Sequence, residues 1–402
     1  MERAELARRL GARADAAAGT PGDTVIAERD ACAFHAAFAQ AVAAGGTVFL
    51  ADPAWGATER AQAEGVRASS AVRDRERGWL CIPTGGSSGQ IKYARHDQTT
   101  LAAAVEGFCT HLGTKQINAV GLLPLHHVSG LLAWLRCVLT GGRYVPWDWT
   151  ALREGRRPER SAGDGDWFLS LVPTQLAELI EQPAAVAWLR SFRAVFVGGG
   201  PAWPALIESG ARQRLPLSLS YGMTETAAMV TALRPEEFLA GARGCGTALA
   251  HAALRLEPAG GVVIRSASLF RGYYPTLSSE AEWSPEDLGR FDAQGSLHLL
   301  GRRDGLIITG GEKVNPVEVE AALRATGLLA DVVVLGLPDE RWGAAVTAFH
   351  PRGTTDLDQS SVERALADRL APFKRPKRYV AVEAWPRNAQ GKVNRAVLRE
   401  LA

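Results

Sequence analysis

The chain has 402 residues, of which 47% are hydrophobic and 22% are charged, and its net charge at pH 7 is +2. This length exceeds one ordinary hydrophobic core, so we expect two or three domains of a globular protein. The near-zero charge excludes an electrostatic case for nucleic acid or an anionic membrane, and five scattered cysteines without C-x-x-C spacing exclude a zinc cage or disulfide framework. No apolar run reaches the ~18 residues of a membrane span, and the charged N-terminus is not a signal peptide, so we predict a cytoplasmic protein.

The first 250 residues alternate predicted helices with predicted strands. Helical patterns cover residues 2–17, 32–43, 98–112, 130–139, 173–181 and 204–210, and apolar runs predict strands at 47–50, 79–82, 117–123, 167–172, 194–197 and 215–220. This alternation predicts an α/β fold with a mostly parallel sheet and helices on both faces. Ligands of such sheets bind at the carboxyl ends of the strands.

The pattern changes after residue 252. Short alternating runs at 253–256, 261–265 and 296–300 predict a small antiparallel β-subdomain. Helical patterns at 316–325 and 361–370, with strands at 331–335 and 344–349, predict a separate small α+β domain. We therefore expect a large N-terminal domain, 1–302, and a small C-terminal domain, 303–402.

Residues 84–92 (TGGSSGQIK) combine three glycines, three hydroxyl side chains and a lysine directly after a predicted strand that ends at Pro83. Glycine lets successive backbone N–H groups turn inward around an anion, and the lysine adds a point charge suited to phosphate. A flexible surface loop is an equally good interpretation of this stretch by itself, and a Walker A sequence does not fit it.

Five motifs in order resemble those of the acyl-adenylate-forming superfamily, from residue 79 to the C-terminus. They are 84–92, 221–225 (YGMTE), 287–289 with 301–304 (DLG, GRRD), 308–313 (ITGGEK) and 386–392 (PRNAQGK). Gly85, Ile91 and Glu286 depart from the usual Ser, Pro and Gly, and the segment before the first loop is short for the superfamily. These departures bear on loop geometry and not on the class.

The resemblance implies an enzyme that activates a carboxylate with ATP as acyl-AMP and then transfers the acyl group to a thiol, using ATP, Mg²⁺ and CoA. Lys392 would bridge the substrate carboxylate and the α-phosphate, and Glu225 would hold Mg²⁺ beside Thr224. The alternatives are a surface lysine and a helix-capping pair. The implied nucleotide contacts are Thr84, Gly86, Ser87, Ser88, Gly89 and Lys92 for phosphate, Asp287 and Arg302 for ribose, and Gly199, Gly200, Pro201, Tyr221, Gly222 and Met223 for adenine.

The resemblance also implies that the C-terminal domain is mobile. Asp304 matches the hinge on which this domain swings between two poses, and Gly310, Gly311 and Lys313 would line the CoA tunnel. The alternative for Asp304 is a surface turn, and for residues 198–200 it is a plain strand-to-helix turn.

Residues 124–130 (PLHHVSG), 170–176 (SLVPTQL) and 220–226 (SYGMTET) are similar to the o-succinylbenzoate–CoA ligases of menaquinone and phylloquinone biosynthesis, whose substrate is an aromatic dicarboxylate. Arg136 is the one cation in an apolar helix, and a buried arginine needs an anion, either the second substrate carboxylate or a protein carboxylate. His127 would contact or gate the substrate, the alternative being a core histidine. Ser129, Ser170 and Thr174 complete the predicted acyl pocket.

Three other functions stay open at this point. They are a CoA ligase for another aryl or short acyl acid, a stand-alone adenylation enzyme that loads a carrier protein, and a non-catalytic relative. No carrier module follows in this sequence, and Lys392 and Glu225 are both present, which disfavours the last two. The predicted partners are small molecules only, and the oligomeric state stays open, with a homodimer as one option.

Overall fold

Two β-sheets organise the first 250 residues. The structure is a computed structural model that describes residues 1–12, 22–68, 77–85, 91–160, 165–200, 202–309, 312–353, 357–367, 369–387 and 393–401. The first sheet and its helices comprise α1 (Arg3–Arg9), β1 (Thr24–Ile26), α2 (Ala31–Ala44), β2 (Val48–Leu50), α3 (Ala57–Ala68), β3 (Leu80–Gly85), β4 (Ile91–His96) and α4 (Gln98–Leu112). Strands β1, β2 and β3 are parallel, and β4 returns antiparallel to β3.

The strand before the glycine-rich motif is longer than the sequence predicts. It was expected to end at Pro83, but β3 continues to Gly85, and Thr84 pairs with Lys92 across the hairpin. Strand β2 pairs with β3 only at Leu80 and Cys81, so Pro83 lies where no backbone donor is needed on that side. The motif is therefore a β-hairpin whose connecting residues, 86–90, lie outside the described residues.

The second sheet has seven strands in the order β11-β10-β9-β8-β7-β5-β6. Its elements are β5 (Asn118–Gly121), α5 (Val128–Thr140), β6 (Tyr144–Pro146), α6 (Trp149–Arg153), β7 (Trp167–Leu171), α7 (Pro173–Ile180), α8 (Pro183–Leu189), β8 (Ala194–Val197), α9 (Pro204–Arg212), β9 (Leu217–Met223), β10 (Ala228–Ala232), α10 (Pro235–Leu239) and β11 (Thr247–Ala248). Five neighbouring strands are parallel, and β10 and β11 are antiparallel. The prediction of a mostly parallel sheet is confirmed.

Helices cover both faces of this sheet, as the apolar runs predict. Along β8, Val195 and Val197 join a core with α7, α8 and α9, whereas Phe196 joins a core with α4 and α5. Neighbouring residues of a strand point to opposite faces, so a strand buried on both sides reads as a continuous apolar run.

Antiparallel hairpins and a separate core form the rest of the chain. The elements are β12 (Ala252–Leu256), β13 (Val262–Ser266), β14 (Asp287–Phe291), β15 (Leu297–Arg302), β16 (Ile307–Thr309), β17 (Glu312–Val314), α11 (Pro316–Arg324), β18 (Val333–Asp339), β19 (Gly343–Pro351), α12 (Gln359–Leu366), β20 (Arg378–Val382) and α13 (Arg395–Glu400). Strands β18, β19 and β20 form one sheet, and α11 and α12 pack on a core of their own with it. No helix in the described ranges is both long and apolar enough to cross a bilayer.

Contacts join the C-terminal elements to the larger part of the chain. Arg303 forms an ion pair with Glu257 at 2.8 Å, and the guanidinium of Arg324 on α11 lies 5.2 Å from the ring centroid of Trp203. Trp203 directly precedes α9, close in sequence to the predicted adenine-binding glycines. The boundary at residues 302/303 remains a prediction.

Candidate active site

Strand β9 ends just before Glu225, the acidic residue of the motif 221–225, at the edge of the large sheet. The strand was expected to end at Ser220, but it continues through Met223 because β10 pairs with it there. A 3-10 turn, Thr224–Thr226, follows, and the Thr226 hydroxyl accepts a hydrogen bond from the Met223 N–H at 3.0 Å. Thr226 thus closes the 3-10 turn with its hydroxyl, and the carboxylate of Glu225 does not cap this turn.

Glu225 is instead joined to the β3–β4 hairpin, the predicted phosphate-binding motif, through Tyr273. The Tyr273 hydroxyl donates to Glu225 Oε1 at 2.5 Å, and Lys92 Nζ lies 5.3 Å from the centroid of the Tyr273 ring. Burial, and then the charge of Glu225, raise the pKa of Tyr273, so the phenol keeps its proton and remains a donor. Glu225 is 7% exposed. Oxygen ligands of this kind suit Mg²⁺, and a cation beside this carboxylate would offset its burial.

His96 fixes the backbone of the acidic turn. Its side chain is fully buried, and its Nε2 lies 2.7 Å from the carbonyl oxygen of Thr224, which can only accept, so Nε2 carries the proton. Burial lowers the pKa of His96 to about 4, so the ring is neutral at pH 7. No sequence pattern indicates this contact, because the two residues are 128 positions apart.

The predicted ribose and adenine residues meet in the structure. The Tyr221 hydroxyl donates to Asp287 Oδ2 at 2.7 Å, and Arg302 Nη1 lies 3.4 Å from Asp287 Oδ1. Asp287 and Arg302 are directly opposite each other on β14 and β15. Burial, and then Asp287, raise the pKa of Tyr221, so its hydroxyl stays protonated. The arrangement leaves carboxylate and guanidinium groups together at the end of β9.

Glycines near this position are required by packing. A Cβ on Gly222 would lie 1.9 Å from the Ala228 carbonyl oxygen, and one on Gly198 would lie 2.9 Å from Ser220 Oγ. Gly199 has φ +76°, which favours glycine, whereas Gly200 has open space around it. Gly222 thus allows β10 to approach β9 closely, and Gly198 leaves room for the Ser220 hydroxyl.

The segment before α5 forms a tight turn with two histidines. His127 is the N-cap residue of α5, and a Cβ on Gly130 would lie 2.2 Å from the Pro124 carbonyl oxygen. The His126 and His127 ring centroids are 4.3 Å apart, and His126 Nε2 lies 3.5 Å from Asp52 Oδ2, an ion-pair distance longer than a well-formed hydrogen bond. The contact with His126 lowers the pKa of Asp52 to about 2. Asp52 follows β2 and was not predicted from the sequence.

Arg136 is buried without a carboxylate partner in the described part of the chain. It is 4% exposed, and its guanidinium carbon lies 4.1 Å from the ring centroid of Phe108. Its Nε–H has no hydrogen-bond acceptor among the described residues. Burial lowers its pKa to about 10. The sequence prediction of an inward-facing helix is confirmed, since α5 is buried continuously from Gly130 to Cys137.

The other predicted acyl-pocket residues are divided between the two faces of the sheet. Ser170 on β7 shares a face with Phe168, which packs against Phe108 near Arg136. Thr174 begins α7, which packs on the opposite face, and Ser129 lies in the first turn of α5. The structure thus brings Ser170 to the Arg136 side of the sheet.

Several predicted site residues cannot be placed. Lys392, Gly86, Ser87, Ser88, Gly89, Pro201, Gly310 and Gly311 lie outside the described residues. The backbone of Asp304 lies in the turn Arg303–Gly305, and Lys313 lies on β17. The roles of all the predicted site residues remain predictions.

Comparison with known proteins identifies relatives of this chain. The 2-succinylbenzoate–CoA ligase of Bacillus cereus (strain Q1) is 29% identical over 345 residues, covering 81% of this chain and 70% of that protein. The enzyme of the same name from Listeria monocytogenes serotype 4b (strain F2365) is 29% identical over 339 residues, covering 81% of this chain and 71% of that protein.

Solved structures share the fold at lower identity. The o-succinylbenzoate CoA synthetase (MenE) from Bacillus subtilis, in complex with the acyl-adenylate intermediate OSB-AMP, has a TM-score of 0.82 at 22% identity, covering 99% of this chain and 92% of that chain. The ATP-bound MatB from Rhodopseudomonas palustris has a TM-score of 0.78 at 22% identity, covering 99% and 93%.

Family models match both parts of the chain. The AMP-binding enzyme C-terminal domain matches residues 318–392, within the small domain predicted from the sequence. The AMP-binding enzyme family matches residues 23–274, which include the phosphate hairpin, the acidic turn and the buried helix α5. This chain belongs to the AMP-binding enzyme family.

Proposed function

We propose that this protein is an ATP-dependent CoA ligase that activates o-succinylbenzoate as its acyl-AMP and then forms the CoA thioester, as in menaquinone or phylloquinone biosynthesis. The observation that carries the choice of substrate is Arg136, a buried cation without a carboxylate partner in the described ranges. The names of the B. cereus and L. monocytogenes relatives agree with a substrate that has a second carboxylate.

The helix α5 spans the acyl pocket from its reactive end to its anionic end. Arg136 follows His127 by nine residues, or about 13.5 Å along a helix axis. Helical side chains tilt toward the N-terminus, which shortens the distance along the helix axis between the guanidinium and the His127 end of α5. We infer that the ring carboxylate of the substrate binds Arg136 and that the succinyl carboxylate reaches the edge beside His127. Phe108, under the guanidinium, would hold the aromatic ring in an apolar surrounding.

The nucleotide would occupy the neighbouring edge. Asp287 and Arg302 would hold the ribose hydroxyls, and Tyr221 would lie against adenine, with its hydroxyl fixed by Asp287. Lys92 and the glycine-rich hairpin would bind the phosphates. Glu225 fits Mg²⁺ because its buried carboxylate offers hard oxygen atoms, and the bound ion would neutralise phosphate charge. Tyr273 orients that carboxylate through its hydroxyl.

Lys392 would complete the site from the C-terminal domain. A long cation that contacts both the carboxylate and the α-phosphate offsets the repulsion between two anions as they approach. A swing at Asp304 would then replace Lys392 by the CoA-binding surface of the same domain. Because ATP and CoA are cytoplasmic metabolites and all five cysteines are free thiols, we place the enzyme in the cytoplasm.

Pyrophosphate release across a panel of carboxylic acids, with and without CoA, tests this function. We expect sustained turnover of o-succinylbenzoate only when CoA is present. The matched control is 4-oxo-4-phenylbutanoate, which keeps the reacting carboxylate and lacks the one on the ring, and its kcat/KM should be at least tenfold lower. Turnover of other aryl or short acyl acids in preference to o-succinylbenzoate would contradict the substrate. Adenylation that CoA does not accelerate would indicate a carrier-protein-loading enzyme instead.

A further inference from the structure

A half-buried histidine lies near Arg136 and has no role in the function proposed so far. His251 lies between β11 and β12, and both of its ring nitrogens are buried without a hydrogen-bond partner among the described residues. The ring packs against Gly107 of α4, where a Cβ would lie 1.8 Å from His251 Nδ1. The missing side chain of Gly107 therefore leaves room for the His251 ring against α4, on the face of the large sheet that α4 and α5 cover.

Consecutive residues of α4 hold the histidine and the arginine. Gly107 contacts His251, and the next residue, Phe108, lies under the guanidinium of Arg136. The two side chains are close enough to interact electrostatically: burial, and then the charge of Arg136, lower the pKa of His251 to about 4, so the imidazole is neutral at pH 7. The other ionisable groups beside Arg136 are thiols, Cys109 on α4 and Cys137 on α5. No carboxylate among the described residues takes part in this group.

Buried polar atoms without partners are rare in folded proteins, and here three of them, Arg136 Nε and both nitrogens of His251, belong to side chains that pack on consecutive residues of α4. One oxyanion placed between the two side chains would accept from the arginine Nε–H and from the histidine N–H. We propose that His251 is a specificity-determining residue that binds, together with Arg136, the non-reacting carboxylate of the substrate. This inference rests on the proposed function, and it adds a second donor to the anion site.

If His251 binds the carboxylate, the protonation state of its imidazole changes when the substrate binds. A purely structural histidine would not change its protonation in this way. A carboxylate that enters between the two groups favours the charged imidazole, so the pKa of His251 rises when the ligand binds. His251 then takes up a proton from solvent as the complex forms. Linkage makes binding of the dicarboxylate tighter as the pH falls from 8 to 6, by at most about tenfold per pH unit. The acids themselves stay ionised over this range, and Cys109 and Cys137 stay protonated because burial raises the pKa of both thiols.

The test compares His251→Gln and His251→Phe with the unchanged enzyme on o-succinylbenzoate and on 4-oxo-4-phenylbutanoate. We expect KM for the dicarboxylate to rise at least tenfold in both variants, its dependence on pH to disappear, and KM for the monoacid to change less than twofold. The matched control is His111→Gln, because His111 on α4 likewise has a buried Nε2 without a partner among the described residues, but lies by Arg234 instead of Arg136. That control should behave as the unchanged enzyme does.

Calorimetry gives a second measurement that does not need turnover. Binding of o-succinylbenzoate in buffers of different ionisation enthalpy should show uptake of up to one proton near pH 6.5, and His251→Gln should abolish it. Equal KM changes for both acids, or proton uptake that survives in the variant, would overturn the role of His251. If the unchanged enzyme turned over only monoacids, the proposed function would fail instead. A preference for other dicarboxylates that His251→Gln removes would still support the anion pair.

Discussion

Replacement of Arg136 by methionine separates the functional interpretation of this residue from the structural one. The arginine is 4% exposed, and burial lowers its pKa from 12.5 to about 10. A depression of that size corresponds to an unfavourable free energy of about 3 kcal/mol for keeping the charge inside the fold. At pH 7, below both the folded and the unfolded pKa, this penalty is fully present.

The methionine side chain recovers part of the favourable contact energy between Arg136 and the Phe108 ring. The contact with Phe108 at 4.1 Å is worth up to about 2 kcal/mol when desolvated, and a thioether over the same ring recovers about 1 kcal/mol. We therefore expect Arg136→Met to raise the free energy of unfolding by about 1–3 kcal/mol, within the range found when buried charges are replaced by apolar groups. The Tm should rise by about 2–6 °C in a scanning fluorimetry experiment.

The control is Arg95→Met, because Arg95 is equally buried and is fully engaged by the protein. Its three nitrogens donate to the carbonyl oxygens of Arg77, Gly78 and Pro275 at 2.9–3.2 Å. Removal of the guanidinium leaves those oxygens unpaired, so the free energy of unfolding should fall by about 3 kcal/mol or more.

The ligand response completes the test. Saturating o-succinylbenzoate should raise the Tm of the unchanged enzyme and should leave that of Arg136→Met where it is, because the anion site is gone. If Arg136→Met is destabilised as strongly as Arg95→Met, the arginine is paired within the protein, and the reasoning from an unpartnered cation is refuted.

Further predictions concern the nucleotide side and the pH response. Lys392→Ala should abolish acyl-AMP formation and leave thioester formation from preformed acyl-AMP intact, and equal loss of both half-reactions would contradict its role. Asp287→Ala should raise KM for ATP by about tenfold or more with a smaller effect on KM for the acid, in steady-state assays that vary each substrate. Tyr273→Phe, which frees the Glu225 carboxylate, should raise the Mg²⁺ concentration needed for half-maximal activity severalfold; an unchanged Mg²⁺ dependence would exclude the proposed contact. Because burial lowers the pKa of His96 to about 4, the unfolded chain binds more protons than the folded one between pH 6.5 and 4. The Tm should therefore fall as the pH falls through this window, and His96→Gln should reduce the fall.

Local signals explain where the sequence predicted the fold correctly. The helix expected at 98–112 has those bounds in the structure, because the Asp97 side chain caps its first turn and Gly113, with φ +62°, ends it. The strands of the large sheet were recognised from continuous apolar runs, which burial on both faces requires. The motifs that carry the resemblance to adenylate-forming enzymes are likewise short and contiguous.

Strand ends were predicted less well, because pairing partners decide them. Strand β3 runs past Pro83, and β9 runs through Tyr221 to Met223, since the next strands in the chain, β4 and β10, fold back and pair with these stretches. Turn-like residues such as proline and glycine suggested earlier ends. An antiparallel neighbour supplies hydrogen bonds that local propensity does not anticipate.

The sequence by itself determined the class of enzyme and the identity of the groups that such chemistry needs: a glycine-rich anion loop, an acidic turn and a cation inside an apolar helix. Tertiary structure alone decided which side chains meet. The Tyr273 hydroxyl reaches Glu225 across 48 positions, and His251 comes to Arg136 through the packing of α4. Contacts of this kind depend on how separate elements pack, and packing is set by the summed shape of the core rather than by any local pattern.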